Sequence, residues 1–341
     1  MTWTSSKYSK NQIDKAGEYL KKGLFISPDY EESLEILNNF RTCHGYPINT
    51  FNATLRGKLN ELNKEYFVSQ RLKRIPSIIS KLNRISGMRL SRMQDLGGLR
   101  AVLKNITEVN KLVKIYRHLP FTHQLINEKD YINNPKESGY KSHHLVYKYC
   151  NPRNPAYDGL SLELQIRTKL QHSWATAVET MGTFLDYSLK SSEGPSEWLE
   201  YFSLVSSAFS AIEKTPVIEK HSKIKIDTLQ KEVRKETQRL NVIQKLNSYK
   251  IAINSISSEA KKGKYYLVIL RPSENIVSIK RYSQSELDIA NDDYIKEERM
   301  ITPENLRQVV LVSSSSLSTL KKAYPNYFLD TNEFIKYLRK V

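Results

Sequence analysis

Two acidic residues stand at positions where they could hold a divalent cation together. Asp95 comes just before a Gly-Gly turn and the strand-like stretch "GLRAVL", and Glu163 lies on the polar side of a later strand. Two carboxylates on neighbouring strands of one sheet would supply the oxygen ligands that Mg²⁺ prefers, and a metal bound in this way also binds phosphates. The simpler alternative is that Asp95 caps a turn and Glu163 is a solvated strand residue, and spacing alone favours it.

A set of basic residues lies just upstream of this aspartate. Its members are Arg71, Lys73, Lys81 and Arg84. Together they can face the triphosphate of a nucleotide, although a solvated helix face is the simpler interpretation of any single one. Residues 55–104 carry twelve Lys and Arg against three acidic residues, an excess of nine in a chain whose formal net charge is +17. This charge predicts attraction to polyanions such as nucleic acid, nucleotides or acidic lipid surfaces.

A tyrosine lies in the segment "PKESGYKSHHLVYKY", residues 135–149. Tyr140 is either an aromatic residue that flanks a strand or a ring held out on a Gly-hinged loop for a flat ligand. His143, His144 and His172 raise the alternative of a zinc site. Adjacent histidines on a strand point to opposite faces, however, and no Cys accompanies them, so the sequence disfavours zinc.

Several other classes of site are excluded by their missing motifs. The sequence contains no G-x-x-x-x-G-K-[ST] loop, no G-x-G-x-x-G and no G-x-S-x-G, so triphosphate chemistry here is not of the P-loop or kinase type. Cys43 and Cys150 are the only cysteines, which suits a reducing compartment. The N-terminus lacks the apolar region of a signal peptide, and no stretch approaches the about 18 apolar residues of a membrane span. We therefore expect a cytoplasmic protein outside any membrane.

The elements that must position these residues can be predicted from periodicity. In "GLSLELQIRT" leucine and isoleucine alternate with Ser161, Glu163, Gln165 and Arg167. This predicts a strand with one core face, while the other face either meets solvent or floors a polar cleft. Helical patterns dominate the first seventy residues, and from 98 to 180 the order is strand, helix, loop, strand, strand, helix. This order predicts an α+β or α/β layer with a sheet near its centre.

The composition and the predicted secondary structure of the chain change after about residue 190. The stretch "KSSEGPSE" reads as a linker, and helical segments follow over 196–214 and about 224–257. Three strand-like stretches and a closing helix then form a small β-rich module. The predicted domains are 1–194, a helical connector over 195–258 and a small regulatory domain over 259–341.

Four motifs in order resemble the RelA/SpoT synthetase domain. They are "RLKRIPSIISKLNR" (71–84), "MQDLGGLRAVL" (93–103), "DYINNPKESGYKSHH" (130–144) and "LELQIRTKLQHSWATAVE" (162–179). The resemblance implies a nucleotidyltransferase-like α+β fold, with a mixed β-sheet flanked by helices. It also implies an enzyme that moves the β,γ-pyrophosphate of ATP to a 3′-hydroxyl of an acceptor.

The resemblance implies a role for each matching residue. Asp95 matches the Mg²⁺ ligand, and Glu163 matches the residue that assists the metal and activates the acceptor hydroxyl. Tyr140 matches the ring on which the acceptor base stacks. The implied ATP-binding residues are Arg71, Lys73, Lys81, Arg84 and Arg100. The other implied acceptor-binding residues are Lys141, His143, Gln165, Arg167 and His172.

The acceptor is not fixed by the motifs. Small synthetases of this family either pyrophosphorylate GDP or GTP, which makes alarmones, or modify the 3′ CCA end of tRNA and stop translation. The basic region favours the tRNA end, because a phosphodiester chain gains most from distributed Lys and Arg. GDP or GTP is the alternative, and a non-catalytic RNA-binding regulatory module is a further one.

The C-terminal extension resembles that of fused toxin-antitoxin proteins of the CapRel type, in which the added domain restrains the synthetase and senses a phage protein. In "KKAYPNYF", Tyr324 and Tyr327 resemble the inhibitory tyrosines of that group. We expect them to cover the ATP-side site and compete with adenine for Arg71 and Arg100. The alternative is that both pack into the small domain's own core. The sequence predicts neither the activating phage protein nor the oligomeric state.

Overall fold

The described residues form runs of helices and runs of strands, with single helices between some of the strands. The computed structural model describes residues 4–23, 28–62, 65–118, 120–185, 187, 189, 192–248, 252–254, 264–274, 276–301, 307–313, 320–321, 324–328 and 330–341. The helices of these residues are α1 (Lys10–Lys21), α2 (Pro28–Thr42), α3 (Gly45–Leu62), α4 (Ile75–Arg84), α5 (Ile106–His118), α6 (Lys169–Leu185), α7 (Ser196–Glu213), α8 (Ile226–Arg239), α9 (Val242–Ser248), α10 (Leu287–Arg299) and α11 (Asn332–Leu338). The strands are β1 (Phe67–Leu72), β2 (Gly97–Leu103), β3 (Gln124–Asp130), β4 (His143–Lys148), β5 (Ser161–Thr168), β6 (Ala252–Asn254), β7 (Tyr265–Arg271), β8 (Ile276–Tyr282) and β9 (Gln308–Ser313).

One mixed sheet runs through the molecule. Within the described residues it has nine strands in the order β3-β4-β5-β2-β1-β9-β7-β8-β6. β2 and β5 are parallel, whereas β1 and β4 run antiparallel to their neighbours β2 and β5. β9 pairs with β1, with Arg71 opposite Val312, so the C-terminal strands extend the sheet of the N-terminal part. The predicted α+β class with a mixed sheet and helices is confirmed.

The two faces of the central strands differ as the alternation predicts. Leu162, Leu164 and Ile166 of β5 are buried in an apolar core with residues of α3 and α5. The intervening side chains of β5 are polar and lie on the other face, because successive residues of a strand point to opposite sides. Helix α6 lies on that polar face, since its His172 ring is 5.2 Å from the ring of Phe67 on β1.

A second core joins α6 and α7 to the end of the chain. Phe334, Ile335 and Leu338 of α11 are buried in it together with Trp174 of α6 and Phe202 of α7. Contacts therefore cross the predicted boundaries at 194/195 and 258/259. The division into three domains stays a prediction.

Several elements differ from the sequence-based expectations. β1 and β6 lie in stretches where helical patterns are expected. The loop expected between α5 and β4 contains β3, a mostly polar strand at the edge of the sheet, where little apolar surface is needed. The charged helix expected over about 224–257 is divided into α8 and α9 at Asn241, whose φ of 51° is left-handed and ends a helix. Helix α10 was not expected. No helix among the described residues combines the length and apolar composition needed to cross a bilayer.

Candidate active site

Polar side chains from four strands meet on one face of the sheet. Residues paired across neighbouring strands point to the same side. Gly98 of β2 lies opposite both Arg71 of β1 and Glu163 of β5, and two residues further Arg100 lies opposite Gln165. Gln165 in turn lies opposite His144 of β4. The aligned polar positions are Arg71, Arg100, Glu163, Gln165 and His144.

Asp95 lies in the loop just before β2 and is held by two lysines. Its Oδ2 is 3.0 Å from Lys73 Nζ, and its Oδ1 is 2.8 Å from Lys81 Nζ. Burial acts to raise the pKa of the Asp95 carboxyl, but the two ammonium groups outweigh it and the pKa lies below its usual value. Asp95 is therefore an ionised carboxylate surrounded by cations.

One of those lysines, Lys81, belongs to helix α4. Ile78 and Leu82 are buried against α1 and α2, whereas Lys81, at the edge of this buried face, reaches Asp95. Lys73 follows β1 and is fixed by a backbone bond in which its N–H donates to the Leu96 carbonyl at 2.8 Å. Arg84, at the end of α4, is exposed.

Glu163 belongs to a chain of hydrogen bonds. His144 Nδ1 lies 2.8 Å from Glu163 Oε1, and Gln165 Nε2 donates to Glu163 Oε2 at 2.8 Å. Burial acts to raise the pKa of the Glu163 carboxyl, but His144, Gln165 and Lys81 lower it to about 2. Because an ionised carboxylate only accepts, His144 Nδ1 donates to it, and His144 Nε2 is hydrogen-bonded to the Tyr140 hydroxyl at 2.9 Å.

His144 is a site residue that the sequence reasoning missed. The sequence suggests His144 only as a possible zinc ligand, and the motif match assigns His143 to the acceptor site instead. The strand alternation contained the signal, because His144 is opposite Gln165 whereas His143 is opposite the buried Ile166.

The ring of Tyr140 is buried beneath its neighbours. It is 8% exposed and lies edge-on to Tyr131 and His144, with centroid distances of 6.1 and 5.7 Å. Lys136 Nζ is 5.5 Å from the Tyr140 centroid and 4.5 Å from that of Tyr131. The ammonium group of Lys136 thus takes up ring surface on which a flat ligand would stack.

Three arginines, Arg71, Arg100 and Arg167, lie on the same face and are close enough for their charges to affect one another. Arg100 is 9% exposed and Arg167 is 2% exposed, and the Nε atom of each is buried without a hydrogen-bond partner. Burial and the charges of Arg100 and Arg71 lower the pKa of Arg167 to about 9, although Tyr140 and Glu179 act to raise it. An NH2 group of Arg167 donates a hydrogen bond to His172 Nδ1. Clustered buried guanidiniums of this kind favour an anionic ligand.

Two predicted acceptor residues point away from this face. His143 Nε2 lies 2.5 Å from Glu128 Oε1 of β3, on the opposite side of β4. Lys141 is 5% exposed and its Nζ donates to Ser210 Oγ of α7 at 2.6 Å. The assignment of Lys141 and His143 to direct acceptor contact is corrected, because the alternation of β4 and the length of the lysine side chain direct both groups elsewhere.

The carboxylates fit a Mg²⁺ ion. Asp95 and Glu163 both present oxygens on the polar face and are close enough for each charge to affect the other. Two ammonium groups already mark a cation position at Asp95. Among the described residues no group of three or more His, Cys, Asp and Glu side chains could hold a metal ion. A magnesium ion would therefore take its other ligands from phosphate and water.

Tyr324 lies where the C-terminal strands meet β1. Its ring is buried in an apolar cluster with Tyr266, Val312 and Phe328, against which Phe67 packs. Its hydroxyl donates to the Gln70 carbonyl at 2.7 Å. It therefore packs into the core of the small module, which was the alternative, and it also contacts the strand that carries Arg71. The side chain of Tyr327 lies outside the described residues.

Known proteins match the part of the chain that forms this face. Residues 70–184 match the family described as a region found in RelA / SpoT proteins. Over 114 residues the chain is 35% identical to GTP pyrophosphokinase YjbM of Bacillus subtilis (strain 168), covering 32% of this chain and 53% of that protein. Over 112 residues it is 28% identical to GTP pyrophosphokinase YwaC of the same organism, covering 31% and 52%. A structure of small alarmone synthetase 1 from Bacillus subtilis bound to pppGpp covers 50% of this chain and 90% of its own, at 25% identity and a TM-score of 0.43.

The chain spans about half the length of the curated relatives it matches. Residues 70–184 thus match the region found in RelA / SpoT proteins, and the resemblance seen in the motifs is confirmed to that extent. The toxic subtype and the CapRel-like character of the extension stay predictions.

Proposed function

We propose that this protein transfers the β,γ-pyrophosphate of ATP to the 3′-hydroxyl of GDP or GTP. The observation that carries the proposal is the alignment, on one face of the sheet, of the Asp95 ion pairs, the arginine cluster and the hydrogen-bond chain from Glu163 to Tyr140. That face lies in the region that is similar to two GTP pyrophosphokinases. The tRNA end, expected from the basic region, is the weaker candidate on this evidence.

The cationic side of the face suits a triphosphate. Transfer of this kind requires alignment and charge neutralisation more than covalent participation by the protein. Arg71, Arg100 and Arg167 supply the charge, and Lys73 and Lys81 can turn from Asp95 to the phosphates. Asp95 and Glu163 would hold Mg²⁺, which when bound neutralises the phosphate oxygens.

Glu163 is placed to receive the proton of the attacking hydroxyl. With a pKa of about 2 it is fully ionised at neutral pH but weakly basic. A bound triphosphate brings negative charge near the carboxylate and draws Lys81 away from it. Both effects act to raise the pKa of Glu163 and favour proton acceptance, against the opposite effect of a Mg²⁺ ion that the same carboxylate would help to hold.

Tyr140 provides the surface for the acceptor base. Displacement of Lys136 would expose the ring, and base stacking on an aromatic side chain contributes about 1–3 kcal/mol. The hydroxyl bond to His144 fixes the ring plane and connects it to Glu163. A base held on this ring would place its ribose toward the carboxylate.

The tRNA 3′ end is kept as a second candidate because of surface charge. Arg84, Arg89 and Arg92 are exposed around the end of α4, next to the Asp95 site. A phosphodiester chain gains from such distributed cations, whereas a mononucleotide does not reach them all. A purely non-catalytic RNA-binding role is less well supported, because it would not need the paired carboxylates.

We also propose that the C-terminal module restrains the synthetase. β9 pairs with β1 beside Arg71, and Tyr324 donates to the Gln70 carbonyl on the same strand. A restraint of a few kcal/mol keeps an enzyme mostly inactive until a partner binds the open form more tightly. A phage protein is one such partner expected from the sequence.

An acceptor-choice assay tests the proposal. The parent protein, Glu163→Gln and Tyr324→Phe are incubated with γ-labelled ATP, Mg²⁺ and either GDP, GTP or deacylated tRNA. We expect label on GDP or GTP, none with Glu163→Gln, and more with Tyr324→Phe. The matched control is Tyr282→Phe, which loses a 2.7 Å hydroxyl bond to Asp293 inside the module but does not touch β1.

Each outcome of this assay is decisive for one part of the proposal. If only tRNA becomes labelled, the acceptor is the tRNA 3′ end and not GDP or GTP. If Tyr324→Phe, Tyr282→Phe and the parent are equally active, the proposed restraint by the C-terminal module is wrong. Label on no acceptor with any of the proteins contradicts the transferase.

A further inference from the structure

The loop that carries Tyr140 rests directly on α7, a helix outside the RelA/SpoT-type region. Gly139 has a left-handed φ of 92°, and a Cβ atom added there would lie 2.7 Å from Ser206 Cβ and 3.0 Å from the Trp174 ring. A side chain at this position would therefore collide with α7 and α6. The glycine allows the loop to turn while it touches the helix.

A serine of α7 bonds to the residue just before Tyr140. Ser206 Oγ donates to the Gly139 carbonyl at 2.6 Å. The loop closes on itself through the Gly139 N–H, which donates to the Lys136 carbonyl at 2.8 Å. The backbone on the N-terminal side of Tyr140 is thereby tied to the helix.

The residue just after Tyr140 is tied to the end of the same helix. Lys141 Nζ donates to Ser210 Oγ at 2.6 Å, to Thr215 Oγ1 at 2.9 Å and to the Pro216 carbonyl at 2.6 Å. The helix ends at Lys214, whose φ of 54° is left-handed. A cation at the C-terminus of a helix is favoured by the helix dipole, so the ammonium group sits where α7 stabilises it.

One acidic neighbour, Glu213, acts on the charge of Lys141. Burial lowers the pKa of the Lys141 ammonium to about 8, and the carboxylate of Glu213 partly offsets this. Glu213 is itself held by Thr168 Oγ1 and by Gln171 Nε2, the latter at 2.9 Å. The side chain thus has all three hydrogen-bond donors used and an anion nearby, which marks it as an anchor.

We propose that α7 is a clamp for the acceptor site, and that Lys141, Ser206 and Ser210 are positioning residues that hold Tyr140 for the acceptor base. This rests on the proposed function, in which the base stacks on Tyr140. Both chain neighbours of Tyr140 are fixed to α7, and the tyrosine hydroxyl is fixed to His144. The ring can then meet the base without first ordering the loop, so the clamp contributes to acceptor affinity.

The clamp should act on one substrate only. Lys73 and Lys81 each pair with Asp95 beside α4, whereas the clamp residues fix the Tyr140 loop to α7. Loosening the loop therefore leaves the ATP side in place. A general loss of stability would instead affect both substrates alike.

The test uses the full chain with Lys141→Met and Ser206→Ala, and with Ser207→Ala as the matched control. Ser207 is buried on the same helix, but its hydroxyl lies 2.8 Å from His221 Nδ1 and it does not bond to the loop. Two quantities are measured: the KM values for acceptor and for ATP, and the hydrogen exchange of peptides covering residues 136–142 without any ligand.

The clamp predicts a KM for the acceptor raised by about fivefold or more in both variants, with the KM for ATP within about twofold of the parent. It also predicts faster exchange of the loop in both variants and parent behaviour in Ser207→Ala. Equal increases in the two KM values, or unchanged exchange of the loop, would overturn it. If the parent transfers label to no acceptor, the proposed function fails, and the exchange rates alone decide whether the clamp exists.

Discussion

Asp95 and Glu163 are both ionised, but their partners differ. Asp95 is paired with two ammonium groups, whereas Glu163 is bonded to an imidazole and an amide. The first arrangement can exchange one cation for another, such as a metal or a lysine, at little electrostatic cost. The second connects the carboxylate through His144 to Tyr140. In the proposed function, Asp95 would therefore serve the phosphates and Glu163 would link both substrates.

The depressed pKa of Glu163 predicts a specific pH dependence of stability. Its folded-state value of about 2 lies below the usual 4.5, so the group contributes stability above about pH 4.5, on the order of 3 kcal/mol. That contribution is lost as the pH falls toward 2. The Tm difference between the parent and Glu163→Gln should therefore shrink between about pH 5 and pH 3. A difference that stays constant over this range would show that Glu163 is not stabilised as an anion.

Sequence reasoning named the carboxylates and arginines of the candidate site, but not every residue to which they are hydrogen-bonded. Alternation along β5 placed Glu163, Gln165 and Arg167 on one face, and the structure has them there. A motif match gives positions and not directions, which is why His143 was chosen over His144. The destination of Lys141 could not be predicted, because it depends on a helix about seventy residues away.

Helix α4 links the phosphate side to the rest of the molecule. Its first N–H, that of Ile75, donates to Glu298 Oε1 of α10 at 3.2 Å, and Arg74 before it makes no side-chain cap. A carboxylate at a helix N-terminus is favoured by the dipole. A helix of the C-terminal module thereby helps to fix the element that delivers Lys81.

Replacing Lys81 tests the role of α4. We expect Lys81→Gln to raise the KM for ATP by about tenfold and to change the KM for the acceptor by less than about threefold, because the lost cation belongs to the phosphate side. Steady-state kinetics with each substrate varied in turn measures this. Asn83→Ala, an exposed change on the same helix, should behave as the parent. An unchanged KM for ATP in Lys81→Gln would show that Lys81 does not contribute to ATP binding.

The elements themselves were predicted where periodicity is strong. β5 and the strands β7, β8 and β9 follow from alternating or continuous apolar residues, and α7 was expected within one residue of its observed end. β3 has no such pattern, because an edge strand that is exposed on one side needs few apolar residues. Sequence patterns also do not show that β9 pairs with β1, since long-range strand pairing depends on the whole fold.

A buried ion pair joins α2, near the start of the chain, to α10 of the C-terminal module. Arg41 of α2 lies 3.2 Å from Glu298 Oε2 of α10, and the two side chains are only 2% and 3% exposed. The Arg41 guanidinium also donates to the Tyr294 hydroxyl at 3.0 Å and lies over its ring at 4.8 Å. Removal of one partner would leave a buried charge unpaired.

We therefore expect Glu298→Ala to lower the free energy of unfolding by about 3–5 kcal/mol. Denaturant unfolding of parent and variant measures the difference. Glu333→Ala is the control, because Glu333 is 61% exposed in its pair with Lys336, and such pairs contribute about 1 kcal/mol or less. An equal loss in both variants would contradict a special role for the buried pair.

The small module cannot be removed without effect on the remainder. Truncation after residue 258 takes away Phe334, Ile335 and Leu338 from the core of α6 and α7, and leaves β1 as an exposed sheet edge. We expect the 1–258 fragment to have a lower Tm than the full chain and to bind an apolar dye, because core and edge are uncovered. A fragment with the Tm of the parent and no dye binding would support three independent domains.

The central claim is a transfer of pyrophosphate between two nucleotides, and ³¹P NMR of a mixture of ATP, GDP, Mg²⁺ and the full chain tests it most directly. The account predicts AMP and a guanosine nucleotide with a new 3′-diphosphate in equal amounts, and neither product with Glu163→Gln. Formation of ADP and phosphate instead, or unchanged ATP and GDP with both the parent and Tyr324→Phe, would contradict it.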